Sequence, residues 1–304
     1  MKKLTITRRK LIKSGTMASV GGFLYLNSGA SASALNCIAP ITEDKKSRVV
    51  LIRDKELLED FNKPNPEKMQ AMIDKAVVAL TGKDTPLNAW KSILKPEDIL
   101  GIKTNVWNYL DTPEALEQAI KNRALDVGIK EENIGIKDRG ITDDPIFQGS
   151  TALINTRPLR THAWSGVGSL IKNYIMFIPD PASLHGDSCA DLGTLWKMPV
   201  VEGKTRLNIL VMLNPLFHGV GRHHFSKEYT WPYSGIIAGY DPVACDSVGV
   251  RILQEKRKEF FGEDRPINPP AKHIELADTR YGLGTANPEN IELIKLGWMD
   301  DCLI

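Results

Sequence analysis

Short apolar runs alternate with amphipathic segments along this chain of 304 residues, and that alternation limits its fold more than any other feature. The first run, residues 49–52, has the length and β-branched content of a buried strand. Over residues 65–80 apolar side chains recur with helical spacing, and Gly82 follows as a stop signal. Strands that alternate with helices predict an α/β domain with a mostly parallel sheet flanked by helices.

The same pattern continues towards the C-terminus. Further strands are predicted at residues 98–103, 134–136, 152–154, 174–178, 207–213, 236–238 and 291–296, and further helices at 112–127, 187–195 and 241–258. Thr112 and Asp241 are the expected N-caps of two of these helices, because each stands directly before a proline. Residues 257–272, which are rich in glycine and proline, predict a surface loop. No fixed repeat and no linker is visible, so we predict a single large domain over residues 35–304.

Residues 1–34 have the order of a secretory signal. Two adjacent arginines, Arg8 and Arg9, precede a modest apolar run at 17–26 and a small-residue segment at 30–34. The apolar run contains two glycines and is too short to span a bilayer comfortably, which disfavours a membrane anchor. The arginine pair resembles a twin-arginine signal, which implies export of an already folded protein by the twin-arginine machinery. We therefore expect a cleaved signal and a periplasmic or other extracytoplasmic location.

Composition excludes several classes of protein. The chain is 42% hydrophobic and 25% charged with a net charge of +2, which is typical of a soluble globular protein. No basic surface for nucleic acid is indicated. Its four cysteines, Cys37, Cys189, Cys245 and Cys302, lack the short spacings of iron–sulfur or zinc-ribbon sites. One or two disulfides are compatible with an oxidising exterior, although folding before export disfavours them.

Five of the six histidines fall between residues 162 and 224. Neutral imidazole is the commonest metal ligand and also serves as an acid or base. We predict His162, His185 and His218 as metal ligands, and His162 and His185 also as catalytic proton-transfer groups. Each histidine taken alone also fits a structural role, and the pair at 223–224 also fits a solvated loop.

A small-residue turn, Ser165-Gly166-Val167-Gly168-Ser169, lies between His162 and His185. Such a turn lets backbone N–H groups approach an anion at the start of a helix. Lys172 and Asn173 follow, and add a cation and an amide. This order is moderately specific for a ligand site. It predicts Lys172 as a catalytic residue, and Gly166, Gly168 and Asn173 as contacts of a cofactor.

Three more polar residues are predicted to contact a cofactor. Lys103 and Asn105 follow a predicted strand at its C-terminal end, where ligands of open α/β sheets bind. The alternative for Lys103 is a surface lysine whose stem lies along apolar surface. Asp246 falls one turn inside a predicted helix and is expected to pair with a cation of the site. No nucleophile elbow, phosphate-binding loop or zinc-protease motif is present, so hydrolases and nucleoside triphosphatases are not indicated.

Several segments resemble the domain-of-unknown-function family 362, a group of bacterial and archaeal α/β proteins, some fused to ferredoxin modules. The matching segments are residues 101–105, 159–162, 168–173, His185, 214–221 and 238–246. They extend over most of the mature chain. This chain lacks the ferredoxin cysteines, and Arg160 stands where a lysine is often found. The resemblance implies an α/β fold but little settled biochemistry.

A more distant resemblance connects His162, the glycine-rich turn, Lys172 and His185 with the core motif of the lactate racemase family. In that family a lysine holds a nickel-pincer nucleotide covalently, while histidines bind nickel or exchange a substrate proton. The resemblance implies that Lys172 is the attachment or phosphate-facing lysine. It implies that His162 and His185 are the proton-transfer or ligand pair.

These features together predict an exported enzyme that binds a metal ion or a phosphorylated metal cofactor. It would act on a small polar molecule by proton transfer or redox at carbon. The first alternative is a non-catalytic periplasmic carrier that presents a metal or cofactor to a membrane redox partner. The second is a solute-binding or structural module in which the histidines are incidental.

Overall fold

A computed structural model describes residues 46–219 and 225–304 of the chain. The predicted signal at residues 1–34, Cys37 and the histidine pair at 223–224 lie outside these ranges. Within them, no helix is both long and apolar enough to cross a membrane.

The centre of the fold is an eight-stranded sheet. Its strands are β1 (Ser47–Arg53), β4 (Leu100–Lys103), β5 (Ile134–Lys137), β6 (Ala152–His162), β7 (Gly166–Gly168), β8 (Thr205–Leu216), β9 (Gly235–Gly239) and β10 (Ile291–Gly297). They follow the order β10-β1-β9-β8-β6-β4-β5, and β7 pairs with β6. All neighbours are parallel except β9, which is antiparallel to β1 and β8, and β7, which is antiparallel to β6. The predicted α/β domain with a mostly parallel sheet is confirmed.

Two short strands, β2 (Leu58–Asp60) and β3 (Lys63–Pro64), form a separate ribbon. The helices are α1 (Pro66–Thr81), α2 (Pro86–Lys91), α3 (Glu114–Val127), α4 (Pro145–Gln148), α5 (Leu170–Asn173), α6 (Gly186–Cys189), α7 (Pro242–Phe261) and α8 (Lys272–Thr279). Short 3-10 helices cover Glu131–Asn133, Tyr174–Phe177, Pro181–Leu184, Leu192–Lys197, Lys227–Tyr229 and Pro288–Asn290.

Both faces of the sheet are covered by helices. Along β8, Ile209 and Val211 belong to an apolar cluster that includes Met69 and Ile73 of α1. Leu210, between them, belongs to a second cluster on the opposite face, to which α7 contributes Val248 and Ile252. This arrangement follows from the strand period of two, because a strand buried on both faces reads as a continuous apolar run.

The boundaries of the long helices follow local signals that the sequence contains. The side chain of Asn65 accepts the backbone N–H of Lys68 at the start of α1, and Gly82 ends that helix with φ 69°. The Asp241 side chain accepts the backbone N–H groups of Val243 and Ala244 at the start of α7. The predicted cap of α3 is wrong, because its N-cap is Pro113 and Thr112 instead accepts the backbone N–H of Asn105.

Two predicted elements around the site are also wrong. The predicted strand at 174–178 is instead a 3-10 helix over Tyr174–Phe177, and the Tyr174 and Phe177 rings pack in the core. The predicted helix at 187–195 does not form as one helix. Asp187, Ser188 and Cys189 adopt φ values of 43°, 56° and 62°, so α6 is a short left-handed turn, and a separate 3-10 helix begins at Leu192. In addition, α7 continues to Phe261, which shortens the predicted loop at 257–272.

Strand β6 extends past its neighbour β4, and this extension provides a place where a site can form. Strand β6 pairs with β4 only as far as Asn155, opposite Lys103, and then continues to His162. Its register with β8 shifts between Pro158 and Arg160. Because β4, β6 and β8 are parallel, this extension stands at the carboxyl edge of the sheet, where α/β proteins bind ligands. A bulge of this kind re-aims side chains.

Candidate functional site

Arg157 and Arg160 on the β6 extension are buried, with 4% and 6% of their surface exposed. The Nε atom of each has no hydrogen-bond partner among the described residues. The Arg160 guanidinium lies 4.0 Å from the centre of the Trp107 ring. Burial lowers the pKa of Arg157 to about 10. Burial and then the charge of Arg157 lower the pKa of Arg160 well below its ordinary value.

Lys172 lies beside these arginines on α5 and is 2% exposed. Its Nζ donates to the Sγ atom of Cys189 at 3.5 Å. Burial, followed by the charges of Arg157 and Arg160, lowers the pKa of Lys172 to about 8, although Cys189 acts in the opposite direction. We call Arg157, Arg160 and Lys172 the cationic cluster. Ion pairs between described residues include Lys103 with Asp138, but none involves the cationic cluster.

The start of α5 is held by a buried carboxylate. Asp246, with no exposed surface, accepts the hydroxyl of Ser169 at 2.6 Å and the backbone N–H groups of Leu170 and Ile171 at 2.9 and 3.0 Å. Burial raises the pKa of Asp246 to about 6 against these hydrogen bonds. These are the N–H groups that the glycine-rich turn was expected to offer to an anion. Asp246 takes them itself, so it anchors α5 and forms no ion pair with a lysine or arginine of the described chain.

The two glycines of the turn provide space. A Cβ on Gly168 would lie 3.0 Å from the Nη2 atom of Arg157, so the absence of a side chain admits the guanidinium. Gly166 has φ 73°, and a Cβ there would collide with the backbone carbonyl of Pro269. Both residues therefore shape the site through close packing, and their contact with a cofactor stays a prediction.

Lys103 and Asn173 belong to a buried polar network next to the cationic cluster. The Nζ of Lys103 donates to Asp138 Oδ1 at 2.6 Å, and Lys103 has no exposed surface, so the surface-lysine alternative is wrong. Burial lowers the pKa of Lys103 to about 8. Burial opposes ionisation of Asp138, but the Lys103 charge and hydrogen bond outweigh it and hold the Asp138 pKa below its usual range.

The Asn173 amide is occupied by the protein. Its Nδ2 lies within hydrogen-bond distance of the Lys103 carbonyl, Asn155 Oδ1 and the Thr156 carbonyl, at 3.2, 2.8 and 3.0 Å. Asn173 therefore ties α5 to β4 and β6. Asn105 differs, because its side chain is 8% exposed and its Oδ1 has no partner among the described residues.

His162 is neutral, and its Nδ1 is a hydrogen-bond acceptor. Its Nδ1 accepts the backbone N–H of Trp164 at 3.2 Å, so the proton of the neutral ring lies on Nε2. Burial and the charges of Arg160 and Lys172 hold the His162 pKa far below its ordinary value. His185 stacks on Trp164, with 4.3 Å between ring centres. Burial and then the charge of Lys172 lower the His185 pKa.

His218 has different neighbours. Its Nδ1 is 3.3 Å from Arg257, and it lines a cavity of about 520 Å³ with Thr161 and Tyr229. Within residues 46–219 and 225–304, no three histidine, cysteine, aspartate or glutamate side chains are arranged to hold a metal ion. The described residues thus give the predicted ligand set of His162, His185 and His218 no support as a metal centre, and that assignment stays a prediction.

Several site residues were missed by sequence reasoning. Two positively charged residues, Arg157 and Arg160, follow closely on the apolar run at 152–154 and were a usable signal, because buried charges need a partner. His273 gave no such signal. It is completely buried, and neither ring nitrogen has a partner among the described residues. Burial and the charges of Lys172 and Arg157 lower its pKa to about 3.

Comparisons with family models, curated proteins and solved structures found no match to this chain. Its function therefore has to be argued from the site itself. The site combines three buried cations with neutral imidazoles, of which one presents an N–H group. Such an arrangement binds an anion, since carboxylate and phosphate oxygens accept hydrogen bonds from all of these groups.

Proposed function

We propose that this protein is an exported enzyme that binds a small polar anion, bearing a carboxylate or a phosphate, and transfers a proton on it. The supporting observation is the cationic cluster: Arg157, Arg160 and Lys172 are all nearly completely buried, and none has an ion-pair partner among the described residues. Asp138 and Asp246 act on Arg157 from a distance, but neither forms an ion pair with it, and buried charges are normally paired, so the cluster favours a ligand that supplies an anion in direct contact.

The guanidinium groups suit this role. A guanidinium presents its N–H groups in a fixed planar fork that matches a carboxylate or phosphate. Hydrogen bonds between charged groups contribute about 1.5–3 kcal/mol each. Among the described residues, Arg157 lacks a partner at Nε and the recorded partner of Lys172 is the weak acceptor sulfur of Cys189, so both retain most of this capacity for a ligand.

Proton transfer would be coupled to binding. Burial, and then the charges of Arg160 and Lys172, disfavour a protonated His162. An anion that offsets those charges raises the His162 pKa towards its ordinary value, because opposite charge favours the protonated form. The same anion raises the Lys172 pKa from about 8, so binding favours the protonated form of both groups, and either can then supply a proton to the bound molecule.

The two motif resemblances fit this proposal in part. The cationic cluster fits the phosphate of a nickel-pincer nucleotide, and Lys172 stands at the position that the resemblance assigns to attachment. When bound, such a cofactor would supply hydride or proton chemistry at carbon. The described residues do not gather three metal ligands, so we derive no step through nickel. Membership of the 362 family is likewise proposed from the motif segments alone.

The second candidate is a periplasmic carrier that delivers its cargo to a membrane redox partner. Depth of burial favours it, since ligands enclosed among residues that are 2–6% exposed exchange slowly. A carrier would hold the anion without changing it. The two functions are separated by incubating the protein with a carboxylate in deuterated water. An enzyme exchanges the α-hydrogen of the carboxylate for deuterium, whereas a carrier does not.

Calorimetric titration with inorganic phosphate and with lactate tests the proposal. We expect the wild-type protein to bind at least one of them, and Lys172→Ala to weaken that binding by about 10- to 100-fold. Lys197→Ala is the matched control, because Lys197 is half-exposed and faces Glu202 at 4.0 Å. Thermal unfolding monitors the fold of each variant. Absence of any anion binding to folded wild-type protein, or unchanged binding by Lys172→Ala, would contradict the proposal.

A further inference from the structure

The amine of Lys172 and the thiol of Cys189 are in direct contact inside the protein. Their Nζ and Sγ atoms are 3.5 Å apart, and the two residues are 2% and 0% exposed. The sulfur is the hydrogen-bond partner that the structure records for this lysine. A primary amine is therefore held against a thiol in a place from which bulk water is excluded.

The backbone holds Cys189 in this position at a conformational cost. Asp187, Ser188 and Cys189 all have positive φ, and none of them is glycine. Left-handed backbone is disfavoured for a residue that carries a Cβ. A surface ion pair joins this segment to α8, with 2.7 Å between Asp187 Oδ1 and Lys272 Nζ. Strain of this kind persists where the surrounding structure enforces it, and it concentrates at functional sites.

Other thiols of the described chain are engaged elsewhere. Cys189, Cys245 and Cys302 are all free, so no disulfide links them. A Cβ on Gly239 would lie 2.6 Å from the Cys245 sulfur, which places that sulfur against β9. The Cys302 thiol donates to the carbonyl of Ile304 at 2.9 Å. The sulfur of an oxidised Cys189 is therefore in contact with the Lys172 nitrogen and not with the sulfur of Cys245 or Cys302.

We propose that Lys172 and Cys189 form an oxidative cross-link, in which peroxide joins the lysine nitrogen to the cysteine sulfur. First, hydrogen peroxide oxidises the thiol to a sulfenic acid: the O–O bond breaks, the sulfur loses two electrons and keeps one oxygen, and the other oxygen leaves as water. The lone pair of the Lys172 amine then attacks the sulfur. The N–S bond forms as the S–O bond breaks, and hydroxide leaves with one amine proton as a second water.

Overall, one thiol, one amine and one hydrogen peroxide give one sulfenamide and two waters. Two equivalents of an added thiol reverse the reaction, and they regenerate the cysteine and the lysine while forming their own disulfide. The environment supports the second step, because burial lowers the Lys172 pKa to about 8, so that a fraction of the amine is unprotonated near neutral pH and more of it at pH 8 and above.

The cross-link would switch off the cationic cluster, and this consequence rests on the proposed function. A sulfenamide nitrogen carries no positive charge, so Arg157 and Arg160 would be left to bind the anion alone. We expect the affinity for phosphate to fall at least 10-fold on oxidation and to recover after reduction. The site would then be active only while peroxide is low.

Peptide mapping by mass spectrometry tests the cross-link without knowledge of the natural ligand. The reduced mature protein is treated with stoichiometric hydrogen peroxide, and we expect a linked pair of peptides containing Lys172 and Cys189. Its mass should be lower by two hydrogens than the sum of the free peptides, and dithiothreitol should separate it. Cys189→Ser and Lys172→Arg should both lack the link, whereas Cys245→Ser should retain it if it folds.

The wild-type measurement alone decides the matter if a variant fails to fold. Recovery of Cys189 as the thiol, the sulfinic acid or the sulfonic acid, with an unmodified Lys172, would overturn the inference. A link that forms equally well in denatured protein would also overturn it, because contact in the fold would not be its cause. If the link forms but reduced protein binds no phosphate, the proposed function fails and the cross-link stands. If phosphate binds and no link forms, only the cross-link fails.

Discussion

Replacement of Arg157 by methionine should stabilise the unliganded protein and weaken its affinity for anions. Methionine has a similar length, and it removes a guanidinium that has no described ion-pair partner. The Arg157 pKa falls from 12.5 to about 10, mainly because of burial. At about 1.4 kcal/mol per pKa unit, holding this charge in the fold costs on the order of 3 kcal/mol. The cost is a destabilisation, because the lowered pKa of a base means that the folded state disfavours its charged form. This holds throughout the range below pH 10.

Part of this gain will be lost to imperfect packing of the new side chain, so we expect the free energy of unfolding to rise by about 1–2 kcal/mol. Urea unfolding at neutral pH, in a buffer without phosphate, sulfate or carboxylate, measures this difference. Addition of phosphate should stabilise the wild-type protein more than the variant, because only the form that binds the anion gains from it. Arg206→Met is the control, since Arg206 lies near the opposite end of the same sheet and its Nε is also without a partner among the described residues.

Two results would refute this reasoning. Arg157→Met could lose stability in the anion-free buffer by as much as a core truncation does, which would show that the guanidinium holds the fold together. Alternatively, phosphate could stabilise Arg157→Met as much as the wild-type protein. Either result would mean that the unpaired charge is not kept for a ligand.

Other predictions concern the network around the cationic cluster and the signal. Lys103→Met should lower the free energy of unfolding by about 3–5 kcal/mol in urea, because Asp138 would remain buried without its cation; an unchanged value would contradict a buried ion pair. Asp246→Asn should flatten the pH dependence of the free energy of unfolding. Folding raises the Asp246 pKa to about 6, so the stabilisation that this residue contributes to the wild-type protein is present below about pH 4 and is lost as pH rises through 6. Identical pH profiles for the two proteins would exclude this titration. Changing Arg8 and Arg9 to lysine should leave folded protein in the cytoplasm, as measured by cell fractionation, and undiminished export of that variant would exclude the twin-arginine route.

The sequence determined the layered framework, because the framework depends on local signals. The run at residues 49–52 is apolar on both faces and so had to lie inside a covered sheet. Asn65 and Gly82 fixed the ends of α1 through capping and left-handed backbone, both of which depend on residues close in sequence. Tyr174 and Phe177 show the limit of this logic, since a short apolar run does not distinguish a strand from a turn of helix packed in the core.

The candidate site could be predicted from the sequence only in part. His162, Lys172 and His185 were recognisable from residue type and order, and the structure places them around Trp164 and the arginines. Whether a polar side chain is hydrogen-bonded within the protein or available to a ligand depends on its partners, and those partners are distant in sequence. The amide of Asn173 is used by β4 and β6, and the carboxylate of Asp246 is used by the start of α5, 75 to 77 residues away.

Tertiary structure alone decided which charges remain without a partner. Lys103 and Lys172 both end or follow apolar segments and look alike in sequence. In the described part of the chain, Asp138 neutralises Lys103, whereas the recorded hydrogen-bond partner of Lys172 is the thiol of Cys189. The left-handed segment that brings Cys189 to Lys172 contains no glycine, so no local signal predicted it. Local sequence sets backbone preference within a few residues, whereas the electrostatic state of a buried group depends on every charge that the fold brings near it.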